Sequence, residues 1–569
     1  MPARESRLHY IILPLAALIA ILPLILRGCS CGHDFDFHIL NWFEAAHQFT
    51  HGNLHPRWAY TPAFNAGEPR FIFYPPISWT IGAILGLIMP WTWTPIAYTW
   101  LALTAAGFSL YHVAKNLASP NAALLAATFY IVNPYTLYTA YERTAYAELL
   151  AAAWIPLLLH AILRKEVSIP RIAIPVALLW LTNAPAAVMS CYTLALLTLI
   201  RIANPGAPSF AFSAKGGVSR ESATALAHPS TRFQLGATTT LGTALGLALA
   251  AFYILPAAYE RHYVQIAMAI LPGITPQDNF LFHRLGNPDH DGVLRTASIV
   301  ATVLIILAVI TLTINFIQRK ETHRSILISL SILTAAITLL LTPLSAPIWH
   351  YLPELRFLQF PWRLLAVLAP TLSLAIALAL SPLKLKPAAT ATLSLTIAAA
   401  LTLPAYHFFH QYCYPEDTIS TRLALFRSAN AGTEPTDEYT PTTANNDILA
   451  ATNPPFWLSP NPAAPAPTES TPGPAPTHLS LNSPTPQTLI LNLRNYPLWK
   501  ITDNGTSASP LQRPDGLIAI PIPAGPSTID ITPTHRPDQI IGLIITAIAL
   551  VVLSLLLASP SRPTRKNRP

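Results

Sequence analysis

Hydrophobic residues in this chain come in long blocks. Apolar runs occur at about 9–26, 76–90, 95–114, 121–140, 146–163, 170–183, 186–202, 236–256, 297–318, 325–342, 362–381, 388–404 and 540–558. Most approach the ~20 residues a helix needs to cross a bilayer core. Beyond residue 476 the pattern changes. The runs HLSLN, TLILNLRNY, LIAIPIPA and STIDITP alternate apolar and polar positions, and Asn504-Gly505 supplies a hairpin turn. The expected fold is an all-α polytopic membrane core, about 12 transmembrane helices plus one re-entrant or juxtamembrane helix, with a small C-terminal β-sandwich-like domain. The divisions are a transmembrane domain 1–404 with a first external loop 27–94, and an external region 405–538. That region holds a Pro-rich linker 453–476 and a β-rich part 477–535. A last transmembrane helix and basic tail follow at 539–569.

Charge orients these blocks. Only 11% of the chain is charged. The stretches 1–8, 115–120, 164–171, 201–235, 318–324, 382–387 and 559–569 hold nineteen Lys/Arg against four acids. Residues 405–538 hold six Lys/Arg against eleven acids. The positive-inside rule then puts both termini in the cytoplasm and the large loops outside. The basic excess belongs to loops between spans, so no nucleic-acid partner is expected. Parity holds only if block 76–90, short and bracketed by Pro75-Pro76 and Pro90, does not cross. Residues 1–26 look like a signal peptide, but the many spans that follow favour an uncleaved first helix. The cysteines, Cys29, Cys31, Cys191 and Cys413, lack zinc spacing. Cys413 shares a compartment with Cys29 and Cys31, which leaves one disulfide open to either.

Ionisable residues concentrate in the stretch Cys31–Pro76, beside the first span, and such gathering marks a candidate site. Asp34 and Asp36 are the candidate bases; capping of the following helix is the structural alternative. His38 is placed to orient Asp36 or to share a metal with it. Glu148 and Arg143 sit where two spans meet outside, and Arg356 and Arg363 flank FLQFPW at the same face. Arginine suits bidentate contact with phosphate, while an interfacial anchor or an ion pair is the structural reading. Arg57 and Tyr74 are weaker candidates of the same kind. No P-loop, GxSxG or dinucleotide fingerprint is present.

The pieces HDFDFH, HGNLHPRW and GEPRFIFYPP, followed by NPYTLYTAYERTAYAE, LRFLQFPWRLL, GTEPTDEYTP and NYPLWKITDNG, resemble the bacterial membrane proteins labelled "6-pyruvoyl-tetrahydropterin synthase-related". These fall within the GT-C-type glycosyltransferase superfamily; the last two pieces also resemble YfhO-like relatives. The resemblance implies a GT-C-like membrane core in a bacterial inner membrane, with the active site, the large loops and the C-terminal domain at the periplasmic face. It implies a glycosyltransferase moving a sugar from a polyprenyl-phosphate-linked donor to an envelope glycan, lipid or protein acceptor, within membrane lipid. It places the catalytic acid in the first external loop, here Asp34 or Asp36. It names no certain cofactor and leaves a divalent metal open. The rival readings are a lipid-linked glycan transporter or flippase, against which the nearly charge-free spans count, and a silent assembly protein of the same fold.

Overall fold

The computed structural model describes residues 7–203, 229–318, 324–428, 430, 432–468 and 470–558. Several basic stretches used for the side assignment (1–6, 204–228, 319–323 and 559–569) lie outside the described residues. The chain is a multi-pass helical protein with a small C-terminal β domain. Among the described residues, seven helices are long and apolar enough to cross a membrane. They are α1 (His9–Arg27), Tyr146–Leu163, Ala184–Ala203, Pro288–Gln318, Pro361–Leu380, Pro387–Phe409 and Pro537–Ala558. Two bent pairs, Arg232–Leu249 with Ala251–Tyr263 and Arg324–Leu340 with Pro343–Tyr351, raise the number to nine.

Length and composition therefore stop short of twelve spans, and proline is one reason. Block 121–140 is two helices, Pro120–Val132 and Pro134–Tyr141. Pro134 brings no N–H to the ladder and disfavours helical backbone at Asn133, whose ψ is 155°. The Asn133 side chain then caps the second piece, accepting from the N–H groups of Tyr135 and Thr136 at 3.1 Å each. Pro76–Ile88 has 13 residues and Ile169–Thr182 has 14. At 1.5 Å per residue the first is about 20 Å long, short of a ~30 Å core. It packs on α2 (Phe35–Thr50), where a side chain in place of Gly82 would collide with the Trp42 ring.

The β domain has two antiparallel sheets. One has the order β1 (Phe456–Ser459), β3 (Gln487–Arg494), β6 (Leu517–Ile522). The other is β2 (His478–Ser483), β7 (Gly525–Pro533), β4 (Trp499–Asp503), β5 (Thr506–Ser507). The β4–β5 hairpin turns at Asn504-Gly505, both at positive φ (49° and 78°), as that pair of residues favours. The segment 453–476 is more than a linker, because β1 lies inside it and pairs with β3. Trp457 supplies the reason: it is buried with Ile490, Leu517 and Ala519.

The domain does not hang from its last span. Trp58 and Ile72 of the first loop share one apolar core with Leu489, Leu491, Ile518 and Ile520. Ala63 and Ala66 share another with Trp457 and Ile490. The Arg494 N–H donates to the Ala66 carbonyl at 2.9 Å, and the Asn492 amide donates to the Phe64 carbonyl at 3.0 Å. First loop and β domain thus form one packed body.

Candidate functional site

Helix α2 begins at Phe35, which puts Asp34 at its N-cap position. The Asp34 side chain makes no capping bond. The adjoining backbone instead lies along the turn 142–143: the Asp34 N–H donates to the Arg143 carbonyl at 2.9 Å and the His33 N–H to Glu142 at 3.3 Å. The Asp34 carboxylate, 40% exposed, lies 3.6 Å from an Arg143 nitrogen. Behind it everything is covered. Arg143 Nη1 donates to Glu148 Oε2 at 2.7 Å, and the Tyr135 hydroxyl donates to Glu148 Oε1 at 2.5 Å. Arg363 Nε stands 3.8 Å from Glu148 Oε2, while its Nη1 donates to the Leu358 carbonyl at 3.0 Å and to the Gln359 side chain at 3.3 Å. The Arg143 guanidinium also lies over the Trp362 ring and that of Arg363 over Phe360. Two buried cations thus share one buried carboxylate, and Asp34 forms the edge that meets solvent.

His38 and Tyr74 complete the wall. His38 is buried, with the Tyr146 ring 5.3 Å and the Tyr74 ring 5.8 Å away. Burial pushes its imidazole down to about 4, against the pull of Asp34, so it is neutral near pH 7. Burial likewise raises the Tyr74 phenol. Arg143 moves the other way: against the lowering effect of burial, Glu148, Tyr135 and Asp34 hold its guanidinium above the ordinary value.

Of the residues singled out from sequence, Asp34, His38, Tyr74, Arg143, Glu148 and Arg363 come together, and three do not join them. Asp36 lies within α2, and its carboxylate pairs with Arg422, which also bonds Asp417 at 2.8 Å. Successive helical residues turn by about 100°, so Asp36 cannot follow Asp34 toward Arg143. Arg57 reaches the start of the last helix, donating to the Thr534 carbonyl at 3.0 Å and bonding Gln539 and His535. Arg356 lines a separate open groove of about 350 Å³ with Arg261, His350 and Glu354. Asp36 and His38 are two positions apart on α2, about 200° around the helix; Asp36 turns to Arg422, while the His38 ring lies beside Tyr74 and Tyr146. Among the described residues the one group of three or more His, Cys, Asp or Glu side chains near enough to hold an ion is Cys29, Cys31 and Cys413, and the bond between Cys31 and Cys413 occupies two of its sulfurs.

Sequence reasoning missed Tyr135, Gln359, Asp417 and Arg422. The signal for Tyr135 was the Asn-Pro break inside an apolar block. Arg422 and Asp417 had been counted only as part of an acidic region; nothing local tied them to residue 36, 386 positions from Arg422.

No family model matches this chain, and neither does any protein in a search of curated proteins. Among solved structures it is similar to the single-particle cryo-EM structure of arabinofuranosyltransferase AftD from Mycobacteria, at 14% identity and a TM-score of 0.43, over 92% of this chain and 40% of that one. A mutant of the same enzyme gives 15%, 0.42, 92% and 42%. The crystal structure of the Archaeoglobus fulgidus oligosaccharyltransferase, a complex with Zn and sulfate, gives 17% and 0.38 over 71% of this chain and 54% of that one. This chain spans less than half the length of the AftD chains it resembles.

Proposed function

We propose that the protein is a GT-C-like membrane glycosyltransferase, moving a sugar from a polyprenyl-phosphate-linked donor to an envelope acceptor at the periplasmic face. The observation that carries the reading is Asp34: a half-exposed carboxylate left out of helix capping and set on the rim of a buried Arg143–Glu148–Arg363 cluster. Asp34 accepts the proton of the attacking acceptor hydroxyl. The bond from the sugar's anomeric carbon to the phosphate oxygen breaks with inversion, and its electron pair leaves on the phosphate. Arg143 offers the nearest cation to that developing charge. Asp36, occupied by Arg422, positions the start of α2. The inner-membrane location, the cytoplasmic termini and the twelve-span topology belong to the same proposal; the location rests on the resemblance, the termini on the distribution of Lys and Arg, and the span number on the apolar blocks of the sequence.

One observation favours a second reading, a silent assembly protein of this fold. Both guanidiniums are largely covered and already paired within the protein. The test for both is transfer by purified protein in liposomes supplied with polyprenyl-phosphate sugars. Asp34→Asn is expected to abolish turnover and Asp36→Asn to retain most of it. Normal turnover by Asp34→Asn sinks the base assignment; a wild type that neither binds nor turns over any donor supports the silent reading.

A further inference from the structure

Three of the four cysteines meet where the first loop leaves α1. Cys31 and Cys413 form a disulfide across 382 positions. Cys29 is unbridged and half-buried, and its sulfur lies within 4.8 Å of both bridged sulfurs. The Cys413 sulfur is also 3.5 Å from the Cys29 carbonyl oxygen. The surrounding backbone is held independently of the sulfurs. The Cys31 N–H donates to the Gln411 carbonyl at 3.0 Å. The Gln411 N–H donates to the Ser30 hydroxyl at 2.8 Å, which itself donates to the Tyr141 carbonyl at 2.6 Å. The three sulfurs are therefore kept together whichever two are bonded.

We propose that this cluster is a thiol–disulfide exchange site, in which Cys29 replaces Cys31 as the partner of Cys413. The Cys29 thiolate attacks the Cys413 sulfur. A Cys29–Cys413 bond forms as the Cys31–Cys413 bond breaks, and the electron pair leaves on Cys31, which takes up the proton that Cys29 released. One disulfide is lost and one is made, so no oxidant or reductant is consumed. Burial pushes the Cys29 thiol up to about 11, and so little of the thiolate nucleophile exists at neutral pH that the Cys31–Cys413 isomer persists there. Both isomers leave residue 413 tied to the first loop. That tie carries Asp417 and Arg422, four and nine residues farther on, to Asp36. Exchange thus moves the bridge by two residues while keeping the loop that bears Asp34 fastened.

Two measurements on the full-length protein in detergent test this. In the wild type, incubation at about pH 9 without reductant, where exchange is faster, is followed by acid quench, unfolding and alkylation. Cys29 and Cys31 share the tryptic peptide Gly28–Arg57, and its fragment spectra show which carries the label. Label is expected on Cys29 at neutral pH and increasingly on Cys31 at alkaline pH, with Cys413 unlabelled throughout. In Cys31→Ser, thiols are counted after unfolding without reduction. Closure of Cys29–Cys413 leaves one reactive thiol, Cys191, whereas a failure to close leaves three. Label confined to Cys29 at both pH values, label on Cys413, or three thiols in Cys31→Ser overturns the proposal. The wild-type arm decides by itself if Cys31→Ser does not fold.

Discussion

Gly32→Ala is the sharpest probe of how the site is held. The loop bearing Asp34 crosses the turn bearing Arg143 at Gly32. A methyl group there would stand against the Glu142 carbonyl, 2.8 Å from its carbon and 3.0 Å from the Arg143 carbonyl carbon. Both obstacles are backbone, so neither can swing away, and the two segments must separate by about 1 Å to restore ordinary contact. That separation falls on the bonds from the His33 and Asp34 N–H groups to Glu142 and Arg143, 3.3 and 2.9 Å long. Losing them costs about 1 kcal/mol each, and the crowding adds about 1–3 kcal/mol, giving a destabilisation of roughly 3–5 kcal/mol. The Asp34–Arg143 pair opens with them, and a misplacement of about 1 Å lowers a reaction rate on the order of 100-fold. The assay pairs a thermal midpoint in detergent with sugar transfer in liposomes. Gly292→Ala is the control: Gly292 lies in the helix Pro288–Gln318 and an added methyl meets nothing within 4 Å, so stability should hold or rise by up to about 1 kcal/mol. A Gly32→Ala protein with wild-type midpoint and turnover would refute the idea that this close approach sets the site.

Other substitutions separate buried from exposed charge. Glu148→Gln strands the cations Arg143 and Arg363 and should cost roughly 3–5 kcal/mol in unfolding measurements, while Tyr135→Phe should cost about 1.5–3 kcal/mol. Arg422→Gln breaks a pair whose side chains remain 22% and 39% exposed, so its midpoint should change by less than about 1 kcal/mol. His38 gives a pH signature. Its folded value of about 4 lies below the ordinary imidazole value of 6.5, so its contribution is complete above about 6.5 and is lost as pH falls toward 4. The wild-type-minus-His38→Gln difference in unfolding free energy should shrink by about 3 kcal/mol over that window, and a flat difference would mean that His38 is not held neutral.

Much of the frame was legible in the chain. Apolar blocks of spanning length marked the helices, and alternation with an Asn-Gly turn marked the strands, because both signals are periodic and local. The short block at 76–90 kept its reading as a helix too brief to cross unaided. Tertiary structure altered readings wherever a residue's partner was far away in sequence. The Pro-rich segment 453–476 yielded an edge strand because Trp457 found a core on β3 and β6, whereas block 121–140 broke for a local reason, at Pro134. The two acids of DFD were equivalent in sequence, yet the start of α2 at Phe35 sent one to Arg143 and the other to Arg422.

The sequence by itself determined that the chain is a membrane protein, that its ionisable groups gather beside the first span, and which residue types are available for chemistry there. Composition and periodicity suffice for this because burial in lipid is a property of each segment. Only the tertiary structure decided that Asp34, Arg143, Glu148 and Arg363 form one cluster, that Arg57 and Arg356 do not belong to it, and that Cys31 is the bridged partner of Cys413. Those outcomes depend on the rotation of helix α2, on a glycine-sized crossing at Gly32, and on contacts between positions more than a hundred residues apart, none of which local spacing encodes.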